Sequence, residues 1–178
     1  MKIICFGDSN TYGYDPRGYF GGRYDHPWPE ILEDKLGCTV INQGENGRKI
    51  PARKVDFPED TDLLIVMLGT NDLLQGLSPK SVCGKMEQFL VIQNLDRAKI
   101  LLIAPPTMKP GVWVSDSSLI EASESLNVNY KSLAKRLGVC FADAGKWNIP
   151  LAYDGVHLTE EAHRALAEEL IHYLNKGE

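Results

Sequence analysis

Lys2-Ile3-Ile4-Cys5-Phe6-Gly7 runs straight into Asp8-Ser9-Asn10-Thr11, and that switch from an apolar run to a polar turn decides the reading of the whole chain. A short run that is apolar almost throughout suits a strand covered on both faces. Four more runs of this kind follow, at Cys38–Asn42, Asp62–Leu68, Lys99–Ala104 and Val139–Ala142. Helix-period segments alternate with them. Trp28–Leu36 stops at Gly37, and Pro79–Leu95 opens behind Ser78 with proline at the first helical position. Ser118–Leu137 carries Leu119, Ala122, Leu126, Tyr130, Leu133 and Leu137 on one face before Gly138, and Thr159–Leu174 presents Ala162, Leu166, Leu170 and Leu174 as a stripe. Strands alternating with helices predict an α/β domain built on a five-stranded parallel sheet.

In such a sheet all strands end at one edge, and ligands bind outside those carboxyl ends. The polar clusters of this sequence fall there. Gly7-Asp8-Ser9-Asn10-Thr11 follows the first strand, Asn42-Gln43-Gly44-Glu45-Asn46-Gly47 the second, Gly69-Thr70-Asn71-Asp72 the third, and Asp154-Gly155-Val156-His157 comes after the fifth. A serine esterase needs a hydroxyl nucleophile, a base beside it, a carboxylate orienting that base, and donors for the developing oxyanion. Ser9, His157 and Asp154 are the candidates for the first three. The backbone N–H groups of Ser9 and Gly44 and the amide of Asn71 are the candidate donors. Taken singly the assignments are open: Ser9 and Asn71 also suit turn caps, His157 also suits a surface histidine like His163 and His172, and about 0.3 Asp-x-x-His pairs are expected by chance in a chain of this composition. Their strength lies in convergence on one edge.

These four blocks, in this order, resemble those of the GDSL or SGNH hydrolases, and the resemblance spans essentially the whole chain. The stretch Phe6–Tyr14 with Gly22-Arg23-Tyr24 and Trp28 is most similar to the arylesterase-type, short-acyl branch. The resemblance implies a flavodoxin-like three-layer α/β/α sandwich and cleavage of carboxylic esters through a Ser9–His157–Asp154 triad. It also implies an oxyanion hole from Ser9, Gly44 and Asn71, with no metal and no cofactor. Carbohydrate O-deacetylation, or lysophospholipid or thioester hydrolysis, are the alternatives within the family. The rival from another class is a non-enzymatic flavodoxin-like module cradling phosphate on Ser9–Thr11, against which stands the lack of a Gly-rich fingerprint after the first strand.

The remaining composition narrows the setting. The chain has 178 residues, 43% of them hydrophobic, enough for one sizeable core and one domain over 1–178. A net charge of −5 with no long basic cluster argues against a nucleic-acid or anionic-membrane surface and suits a small neutral or weakly charged substrate, which the resemblance makes a small-molecule ester. Cys5, Cys38, Cys83 and Cys140 lack metal or redox spacing and read as reduced thiols. No apolar stretch has the length of a signal peptide or membrane span, which favours the cytoplasm. Glu59, Asp60 and Asp62 read as a solvated face. Trp28, Trp113, Trp147, Tyr12, Tyr14, Tyr24 and Tyr153 lie in or near the active-edge loops, and Met108–Trp113 is expected to border the pocket.

Overall fold

The computed structural model describes residues 1–18 and 22–176; residues 19–21, between the first apolar run and the helix-period segment Trp28–Leu36, and residues 177–178 lie outside the described residues. The opening run forms β1 (Lys2–Gly7) at an inner position of a five-stranded sheet. On one side it pairs with β4 (Thr39–Gly44), on the other with β5 (Leu63–Met67), and β6 (Ile100–Ala104) and β7 (Cys140–Asp143) follow outward, all parallel. Counting only these five, the strand order is the flavodoxin-like 2-1-3-4-5. Gly7 is level with Gly44 on one side and Met67 on the other. The ends of these three strands therefore share one edge, and the topology reverses at β1.

Alternate side chains of each strand point to opposite faces, and both faces are covered. Ile3, Cys5, Ile65, Met67, Leu101 and Ile103 pack against α2 (Trp28–Leu36) and α6 (Glu160–Lys176). Ile4, Phe6, Leu64, Val66 and Leu102 pack against α4 (Pro79–Val91) and α5 (Ser117–Leu137). The result is the three-layer α/β/α sandwich. Local signals set the helix ends: Ser78 and Asp116 cap α4 and α5 with their side chains, and Gly37 and Gly138 stop α2 and α5 in the left-handed region at φ 61° and 71°.

Departures from expectation have local causes. The α4 helix ends at Val91 instead of Leu95, because Gln93 turns its side chain back and donates to the Phe89 carbonyl (2.6 Å), the acceptor its backbone N–H would have used. Two short helices, α1 (Ser9–Tyr12) and α3 (Thr70–Leu74), and a small hairpin of β2 (Tyr14–Asp15) with β3 (Gly22–Arg23) occupy segments expected to be loop. His163 corrects an expectation too. It is fully buried, not superficial, and its Nδ1 accepts the Trp28 N–H (3.3 Å). All four cysteines are free of disulfides, and among the described residues no helix is long and apolar enough to cross a membrane.

Candidate active site

Helix α1 begins one residue after β1 ends, so the chain turns sharply at Gly7-Asp8 and puts Ser9 in the first helical position. Gly7 permits that turn, since a Cβ there would fall on the Thr11 side chain. Asp8 caps the helix by accepting the Asn10 N–H (3.0 Å), and Gly13 ends it at φ 95°. The Ser9 Oγ faces His157 Nε2 at 3.1 Å, and His157 Nδ1 lies 2.7 Å from Asp154 Oδ2. Its other oxygen, Oδ1, accepts the N–H groups of Val156 and His157, each at 2.9 Å. The Asp-x-x-His spacing thus closes a tight turn with Gly155 at φ 82°, whose missing Cβ would strike the Lys109 carbonyl.

Burial pushes the Asp154 carboxyl up, but the N–H groups and ring of His157 and the N–H of Val156 outweigh it and hold it below the usual carboxylate range. An ionised Asp154 requires His157 Nδ1 to donate. That leaves the Nε2 lone pair for the Ser9 hydroxyl, a tautomer assigned from the hydrogen bonds.

The candidate oxyanion donors are placed less uniformly. Asn71, the second residue of α3, lines the cavity beside Ser9; its Nδ2 donates to the Arg48 carbonyl (3.2 Å) and retains a second hydrogen. Gly44 corrects the sequence reading. Its N–H is taken by Asn42 Oδ1 (2.9 Å), it packs where a Cβ would fall on the Tyr12 backbone nitrogen, and it does not line the cavity. Gly47 lines it instead, at φ 73°. The Asn46-Gly47 pair is a turn signal that could have singled it out. The loop bearing Gly47 is held on both sides. Gly7 O accepts the Glu45 N–H (3.2 Å) and an Arg48 guanidinium N–H (2.9 Å). The buried Asp72 accepts the Ile50 N–H (3.0 Å) and pairs with Lys85.

The cavity at these groups is about 240 Å³ and is lined by Ser9, Tyr14, Asn46, Gly47, Asn71, Trp113 and His157. None of them is acidic or a Lys or Arg. The rings of Tyr14 and Trp113 lie 4.6 Å and 4.9 Å from the His157 ring. Trp113 is half exposed and sits in a lobe stitched to the histidine turn by three main-chain hydrogen bonds: Lys109 N–H to Gly155 O, Val112 N–H to Tyr153 O and Trp113 N–H to Asp154 O, at 3.0, 3.2 and 3.0 Å. Of the aromatics near the active-edge loops, Trp28 is fully buried in the core; Met108, at the start of the segment expected to border the pocket, is also buried.

The sequence and the fold have counterparts. The family model described as the GDSL-like lipase/acylhydrolase family matches residues 5–165. The chain belongs to that family. The structure of this GDSL hydrolase superposes on that of the native aryl esterase of M. smegmatis with a TM-score of 0.82 and 28% identity, over 98% of each chain. It matches a carbohydrate acetylesterase family member from Sinorhizobium meliloti at 0.81 and 26%, covering 98% of this chain and 97% of that one. The arylesterase of Vibrio mimicus is 25% identical over 112 residues, 57% of this GDSL hydrolase; the match spans only 53% of the Vibrio protein's own length. An isoamyl acetate-hydrolyzing esterase of Schizosaccharomyces pombe is 23% identical over 99% of this chain and 76% of its own.

Proposed function

We propose that this GDSL hydrolase cleaves short-acyl or aryl carboxylic esters, with Ser9 as nucleophile, His157 as base and Asp154 as the group that orients it. The observation that carries the reading is the continuous hydrogen-bonded line from Ser9 Oγ through His157 to Asp154. In this reaction His157 takes the Ser9 proton as Oγ bonds to the ester carbonyl carbon. The proton passes to the leaving alcohol as its C–O bond breaks, and a water activated by the same histidine releases the acid. The oxyanion is held by the N–H of Ser9, the free hydrogen of Asn71 Nδ2 and the N–H of Gly47, which takes the role first expected of Gly44. A small cavity lined by no acidic residue and no Lys or Arg favours short, neutral acyl groups. The family match and two cores sharing one sheet support reading residues 1–178 as one domain.

Deacetylation of a sugar ester is the second reading, favoured by the likeness to the Sinorhizobium acetylesterase and by Trp113 and Tyr153, exposed aromatics on which a sugar ring could stack. The test is hydrolysis of p-nitrophenyl acetate, butyrate and octanoate and of an acetylated xyloside by the wild type and by folded Ser9→Ala. Acetate and butyrate are expected to be turned over faster than octanoate, and Ser9→Ala to lose at least ~10³-fold in rate. Equal rates for the two proteins would overturn the mechanism. Preference for the acetylated sugar over every aryl ester would select the second reading.

A further inference from the structure

Asn10 stands immediately after the proposed nucleophile, where the letters of the family's name place leucine. Every hydrogen-bonding group it owns is engaged, and it is 4% exposed. Its N–H donates to Asp8 Oδ1 (3.0 Å), and its carbonyl accepts from Trp28 Nε1 (3.1 Å) in the core below. Its side chain reaches 146 and 148 residues along the sequence: Nδ2 donates to the Val156 carbonyl (3.1 Å), while Oδ1 accepts the Leu158 N–H (2.9 Å). Those two backbone groups flank His157 on either side.

We propose that Asn10 is a positioning residue, whose amide clamps the backbone around His157 and sets the distance from that base to Ser9. The inference rests on the Ser9–His157 mechanism proposed above. Other bonds fix the internal shape of the histidine turn: Asp154 holds the N–H groups of Val156 and His157, and the Ala152 N–H holds the His157 carbonyl (2.7 Å). None of these relates the turn to α1. Among the described residues, the hydrogen bonds joining residues 156–158 to α1 are the two from Asn10 and the Ser9–His157 contact itself. Since Asn10 shares a peptide bond with Ser9, nucleophile and base are referred to one rigid amide.

The residue type is dictated by the partners. A carbonyl on one side and an N–H on the other require one donor and one acceptor at fixed separation, which a carboxamide supplies. Aspartate would turn a lone pair toward the Val156 carbonyl, and leucine would make neither bond. Displacing a reacting group by about 1 Å costs on the order of 10²-fold in rate. The clamp therefore acts on kcat, while the cavity walls other than Ser9 and His157, and with them substrate affinity, stay as they are.

The experiment compares Asn10→Leu and Asn10→Asp with Asn127→Leu. Asn127 is an equally buried amide donating to Pro105 O and Asp143 Oδ1, and its variant measures what losing such a group costs the fold alone. With p-nitrophenyl acetate, and active-site concentration titrated with a fluorophosphonate, Asn10→Leu is expected to lose about 30- to 100-fold in kcat with KM within about threefold. Asn10→Asp, which keeps the Leu158 bond, is expected to lose less, and Asn127→Leu to keep kcat within about threefold after the same correction. Folded Asn10→Leu with kcat near wild type, or a loss matched by Asn127→Leu, overturns the clamp; if Asn10→Leu does not fold, the same criterion applies to Asn10→Asp. Ser9→Ala in the same assay separates the two ideas. Retained activity there sinks the proposed mechanism, whereas dead Ser9→Ala beside fully active Asn10→Leu sinks only the clamp.

Discussion

Asp8, in the nucleophile turn, and His163, in α6, are both buried, and burial shifts them in opposite directions. Burial pushes the Asp8 carboxyl up to about 7 against the pull of the Asn10 N–H and the Arg48 charge. Burial, with Arg23 nearby, pushes His163 down to about 3. In the unfolded chain an aspartate releases its proton near ~3.9 and a histidine binds one below ~6.5. The folded protein therefore holds an extra proton on Asp8 from about pH 4 to 7, and stability falls as pH rises through that window. It refuses one at His163 from about pH 6.5 down to 3, and stability falls as pH drops through that one. Where the windows overlap the two effects offset each other. Asp8→Asn, which retains a helix-capping side chain, should unmask the histidine: relative to the wild type, its stability should fall by up to ~1.4 kcal/mol per pH unit between about pH 6.5 and 4. Urea unfolding midpoints at three pH values in that range check this, and parallel curves for the two proteins would contradict it.

At the scale of elements, α3 works as a bracket for the loop that carries Gly47. Asp72 Oδ2 holds the Ile50 N–H while Oδ1 meets Lys85, and the neighbouring Asn71 holds the Arg48 carbonyl two residues before Ile50. Asp72→Ala leaves the Ile50 N–H without its acceptor, at a cost of about 1–3 kcal/mol. It should also lower kcat by letting Gly47 drift, measurable as a shifted urea midpoint together with slower p-nitrophenyl acetate turnover. This bracket also marks the limit of what the sequence discloses. Runs such as Lys2–Gly7 and the spaced leucines of Ser118–Leu137 are long enough to show their period, and glycines such as Gly37 and Gly138 mark their ends. Helices α1 and α3, of four and five residues, are too short to display any period. Ser9, Asn71, Asp154 and His157 were legible because each follows a strand at the ligand-binding edge. The choice between Gly44 and Gly47 is legible only in part: the Asn46-Gly47 turn signal points to Gly47, but the loss of the Gly44 N–H depends on the Asn42 side chain folding onto its own strand.

For the whole molecule, the same sheet backs both hydrophobic cores, and the proposed site draws on the ends of strands and the loops beyond them. Trp28 spans these levels: it is fully buried in one core, yet its indole N–H ends on the Asn10 carbonyl at the nucleophile turn. Far-ultraviolet circular dichroism, tryptophan fluorescence and ester hydrolysis should therefore disappear over one urea range, as in a single cooperative transition. Activity lost well before the dichroism would show that the loops melt apart from the sheet. The main-chain stitching of residues 109–114 to the histidine turn has a consequence for changing substrate range. Since N–H and carbonyl groups make those rungs, the exposed side chains of Val112 and Trp113 are not needed for the stitching, and Trp113 instead lies against the His157 ring at the cavity. Positions 112 and 113 alone are natural sites for randomisation, at which a library can recut the cavity wall, while Gly111, where a Cβ would strike Asp154, and the buried Val114 keep the scaffold's shape.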